Sequence, residues 1–70
     1  MADSSWRQRL MRADRDVAEA KQKVDAQLAV IYRLEALGRD DVMAQQKLEV
    51  LLETLEEAQQ RRKILQNTIR

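Results

Sequence analysis

Apolar side chains return along the first half of the chain in alternating steps of four and three. Trp6, Leu10, Ala13, Val17, Ala20, Val24, Ile31 and Leu34 follow this rhythm, with Gln27 in its single polar seat. Ala44, Leu48, Leu51, Leu55, Ala58, Leu65 and Ile69 repeat it downstream, where Arg62 is the exception. That spacing predicts two amphipathic helices, each with one apolar stripe. The stripes are not continuous. Carrying the first phase straight through would put Gly38, Asp41, Gln45, Gln59 and Arg62 on the apolar face. One long rod would have to absorb an offset of about three residues as a stammer, whereas a turn absorbs it in the loop. The break falls at Gly38, the only glycine, followed by Asp40 and Asp41. Glycine takes the left-handed backbone that ends helices, and aspartate caps the next helix by accepting backbone N–H bonds. A glycine inside an unbroken helix would cost only about 1 kcal/mol, so the phase shift decides for the turn. The expectation is one domain over residues 1–70, an all-α antiparallel two-helix hairpin. The first helix covers about 5–37, the turn 38–40 and the second helix about 41–69. The first would be roughly 50 Å long, opening at Ser4 or Ser5, where Ser5-x-x-Gln8 fits a capping box.

Folding back about residue 39 sets Ile31 near Leu48, Val24 near Leu55, Val17 near Arg62 and Ala13 near Leu65. The seam is thin, because alanine holds positions 13, 20, 44 and 58. Further apolar residues flank it in the half nearest the turn. Leu28 and Leu52 lie on one side, with Tyr32 one turn beyond Leu28. Val30 and Val50 lie on the other, followed by Leu37, Met43 and Ile64. A face this broad exceeds what an intramolecular two-helix seam uses. The expected partner is therefore a second copy, two hairpins forming a four-helix bundle. Leu28, Tyr32, Leu52, Val30 and Val50 are its candidate interface.

Three residues in or near the seam carry more than one reading. Gln27 is either a buried amide that fixes register or oligomeric state, or a side chain tilted to the bundle surface. Arg62 either covers the seam with its methylenes while its guanidinium reaches Asp14 or Asp16, or contacts a ligand. Trp6 overhangs the end of the second helix. It is covered by another subunit, serves as an anchor for a partner, or lies on Leu10 and Ile69.

Composition narrows the chemistry. With one Gly and no Pro in 70 residues, the turns a sheet needs are missing. The absence of Cys removes thiolate and disulfide chemistry, and the absence of His removes the commonest general base and metal ligand. The longest apolar run, Leu28–Ile31, is far short of the ~20 residues of a membrane span. The opening Met1–Arg7 lacks the apolar core of a signal peptide, so the expected location is cytoplasmic. No cofactor and no enzymatic activity are expected, and Glu49, Glu53, Glu56 and Glu57 read as a solvated face.

Net charge is +1, unevenly spread. Residues 1–19 and 58–70, which share the open end of the hairpin, carry +4, and residues 20–57 carry −3. Cations late in the second helix suit its dipole, whereas Arg7 and Arg9 sit at the positive start of the first. They imply either a cross-subunit ion pair with Glu53, Glu56 or Glu57, or a phosphate contact. Trp6, Arg7, Arg9, Arg12, Arg61, Arg62 and Lys63 are accordingly the candidate contacts to a protein partner or a nucleic acid. A structural or adaptor module acting through protein–protein contact is the first functional expectation. A small RNA- or DNA-binding regulator of the dimeric helical-hairpin type is the second, since one Trp and one Tyr at opposite ends make a poor stacking platform.

The elements Val17-Ala18, Gln27, Ile31, Leu34, Gly38-x-Asp40, Ala44, Leu51-Leu52 and Leu55 resemble those of small bacterial helical-hairpin proteins without an assigned activity, over roughly residues 13–62. Members of that group often carry His near the end of the second helix and Thr after the turn aspartate. Gln59, Gln60 and Asp41 stand there instead. The resemblance implies the hairpin and supplies no function.

Overall fold

A computed structural model describes the backbone of residues 2–68 and the side chains of residues 5–68. Two helices, α1 (Ala2–Ala36) and α2 (Val42–Thr68), pack against each other along their length. Together they form a rod of 56 × 14 × 13 Å. Its radius of gyration is 16.2 Å, where a compact chain of this length would have about 11 Å.

The turn is built from local chemistry. Gly38 has φ +68°, and a Cβ placed there would meet nothing within 4 Å. Glycine is therefore required by backbone conformation and not by space. Around it the Arg39 N–H donates to the Leu34 carbonyl at 2.8 Å and the Gly38 N–H to the Glu35 carbonyl at 3.0 Å. This is the Schellman pattern, which satisfies carbonyls that a helix end leaves unpaired. The Asp40 carboxylate then accepts the Val42 N–H at 3.0 Å, and the Asp41 carbonyl accepts the Gln45 N–H at 2.8 Å. Both turn residues singled out by the sequence, Gly38 and Asp40, take the roles expected of them.

The start of α1 differs from expectation. The helix is already formed at Ala2, so Ser5 lies within it and cannot cap it. Nothing in the sequence before Ser5 opposes helix: it holds no Gly or Pro, and alanine is the best helix former. At the turn, α1 ends and α2 begins one residue inside the expected bounds.

The core is lopsided. Ala13, Val17, Ala20, Val24 and Ile31 of α1 are buried, together with Gln27, whereas α2 buries only Ala58. Leu48, Leu51, Leu55, Arg62 and Leu65 on the α2 stripe are half-buried, and Ile69 lies outside the described residues. Side-chain length explains the difference. A leucine lying over alanine and valine covers them, but the shorter partner cannot cover the leucine in return.

Candidate interaction surface

The turn half of the hairpin leaves large apolar groups uncovered on two flanks. Leu28 is half-buried against the seam, while Leu52 is 45% exposed and Tyr32 64%. On the opposite flank Val30 and Val50 are exposed, with Leu37 and Met43 nearer the turn and Ile64 farther from it. Heptad geometry accounts for this split: Leu28 and Leu52 sit beside the stripe on one side of each helix, and Val30 and Val50 on the other. Two exposed apolar residues escaped the sequence reading, Met11 and Val42. Met11 falls three heptads before Tyr32 on the same line of α1, and that spacing was the available signal.

Gln27 is buried, and its Nε2 donates to the Ala44 carbonyl at 2.9 Å. The surface-tilted alternative is therefore corrected. The partner lies one heptad nearer the turn than Leu51, the residue that folding back about residue 39 sets near Gln27. An α-helical carbonyl points along its axis toward the following turn, so Ala44 presents its oxygen toward the layer from which Gln27 reaches.

The basic residues of the open end separate. Arg62 is half-buried, and its Nη1 stands 3.8 Å from Oδ1 of Asp14, which matches the seam-covering reading of that arginine. Arg7, Arg9, Arg12, Arg61 and Lys63 are exposed. Arg9 and Arg12 from α1 and Arg61 from α2 line one groove of about 380 Å³ with Ala13, Asp16, Ile64 and Leu65. Lys63, two positions beyond Arg61, belongs to a different face of α2 and does not line it. The groove runs on toward the turn past Ala20, Leu51 and Ala58, where Glu19 and Glu57 stand beside Lys23, so its excess of positive charge is confined to the open end. Its depth follows from the seam: alanines at 13, 20 and 58 leave a furrow between the two backbones. Among the described residues, Arg62–Asp14 is the one ion pair within 4 Å, so the three groove arginines face solvent without a carboxylate partner.

Trp6 is half-buried, with its indole N–H enclosed and without a hydrogen-bond partner among the described residues. Among those residues no helix is long and apolar enough to cross a membrane. Compared with protein-family models, with curated proteins and with solved structures, the chain matches none.

Proposed function

We propose that this chain is a non-enzymatic structural or adaptor module that works through self-association and protein–protein contact, two hairpins pairing into a four-helix bundle. The observation that supports it is an ordered hairpin whose turn half keeps Leu52, Tyr32, Val30 and Val50 in water. The chain presents 5978 Å² to solvent. A compact monomer of 8.2 kDa would present roughly 4,500 Å². A second copy placed over the Leu28/Leu52 flank would remove part of that excess from water, and two-fold symmetry lets each flank serve as the other's cover.

The test is the mass in solution, by light scattering, of the natural chain beside Leu52→Lys. The natural chain is expected at twice 8.2 kDa and the lysine variant at the monomer mass with its helix retained by circular dichroism. A folded monomer of the natural chain at micromolar concentration would overturn the proposal.

A further inference from the structure

We infer that the arginine-walled groove at the open end receives an acidic amphipathic helix from another protein. The inference rests on the adaptor reading and names the chemistry of the partner. The wall from α1 carries Arg9 and Arg12, and the wall from α2 carries Arg61. All three are exposed and lack a carboxylate within 4 Å among the described residues. One carboxylate, Asp16, sits among them, leaving the site with an excess of two positive charges.

The floor decides what kind of anion fits. Ala13 is buried and Leu65 half-buried, and Ile64 on the rim is 62% exposed. A phosphate backbone would satisfy the arginines yet leave Leu65 and Ile64 wet. No aromatic ring lines the groove on which a base could stack. A helix with apolar anchors at i, i+3, i+4 and i+7 covers such a floor, and the furrow between two antiparallel helices is shaped for a third rod. Glutamates beside those anchors reach Arg9 and Arg12 on one side and Arg61 on the other, in the forked geometry that arginine favours.

The experiment titrates a labelled synthetic helical peptide, with leucines at those anchor positions and glutamates beside them, into the full chain and into Arg12→Glu/Arg61→Glu, following anisotropy. Both substituted residues are exposed, and circular dichroism checks that the double variant keeps its helix. The glutamate peptide is expected to bind the natural chain, to weaken as salt rises, and to bind the double variant at least ~10-fold less tightly. The same peptide with lysines in place of glutamates is expected not to bind. Absence of binding by the glutamate peptide, equal binding to the double variant, or tighter binding of a single-stranded RNA oligonucleotide would each overturn the inference. So would loss of self-association in the double variant, because the groove would then belong to a second copy. A dimer that persists while the peptide fails to bind overturns the groove assignment alone. A monomeric natural chain that still binds the peptide overturns the bundle alone.

Discussion

The side chain of Gln27 reaches across the seam to the backbone carbonyl of Ala44, 2.9 Å away, from a position that is only 7% exposed. Among the described residues it is the buried polar side chain, and the other buried positions of α1 are alanine, valine and isoleucine. A buried amide with a partner contributes little net stability, but misplaced it is costly. From that asymmetry a role in fixing register is expected of Gln27: sliding α2 by one turn would leave the amide without the Ala44 oxygen. Gln27→Ala is expected to lower unfolding free energy by about 1 kcal/mol. Gln27→Leu is expected to raise the stability while allowing more than one associated form, as a core polar residue does for coiled coils. Chemical denaturation gives the first quantity and sedimentation velocity the second. A leucine variant that stays a single species would remove the register role.

Gly38 offers a cleaner test, because its environment is empty. With φ at +68° and no atom to meet an added Cβ, any penalty in Gly38→Ala is conformational. The expected loss is about 1 kcal/mol, and Gly38→Asn should lose less, since asparagine tolerates the left-handed region. For a chain this short, 1 kcal/mol corresponds to a fall of roughly 4–8 °C in Tm. Equal melting temperatures for the natural chain and the alanine variant would mean that the turn relaxes out of the Schellman geometry.

Arg62 occupies a seam position that the heptad reserves for an apolar side chain. Its contact with Asp14 is long, 3.8 Å, and the side chains are 33% and 56% exposed. Ion pairs of that kind contribute roughly 0–1 kcal/mol. A half-buried leucine at the same position gains apolar burial of about 1 kcal/mol. Arg62→Leu is therefore expected to be neutral or stabilising in urea denaturation, and Asp14→Asn nearly silent. A marked loss in both variants would show that the pair, and not the methylene cover, holds the open end together.

The parts legible in the sequence were those set by short-range rules. Gly38 and Asp40 act within a few residues of themselves, and the stripe of α1 follows from a simple period. The start of α1 was misplaced because Ser5-x-x-Gln8 is a weak signal where helix-compatible residues precede it. The partner of Gln27 was hidden because a backbone carbonyl leaves no mark in a sequence. The run Arg61-Arg62-Lys63 looks like one basic patch, yet successive helical positions point about 100° apart. One of the three therefore enters the groove, one covers the seam and one faces away. The groove itself depends on alanines from both helices and on arginines some fifty positions apart, a coincidence that only the folded hairpin brings together.

Trp6 lies in the second turn of α1, half-buried, with its indole N–H enclosed and unpaired among the described residues. The ring contributes apolar contact while the N–H costs free energy for want of an acceptor. These two effects separate in two variants. Trp6→Phe keeps most of the contact and discards the N–H, so the urea midpoint is expected to hold or rise, by up to about 1 kcal/mol in free energy. Trp6→Ala gives up the contact as well and is expected to lose about 2 kcal/mol, below the 3–5 typical of a fully buried ring. Circular dichroism follows both, since neither variant retains the fluorophore. If Trp6→Phe instead destabilises by more than 1 kcal/mol, the indole N–H has an acceptor, and concentration dependence of that loss would place the acceptor on a second copy. A loss independent of concentration would place it within the same chain.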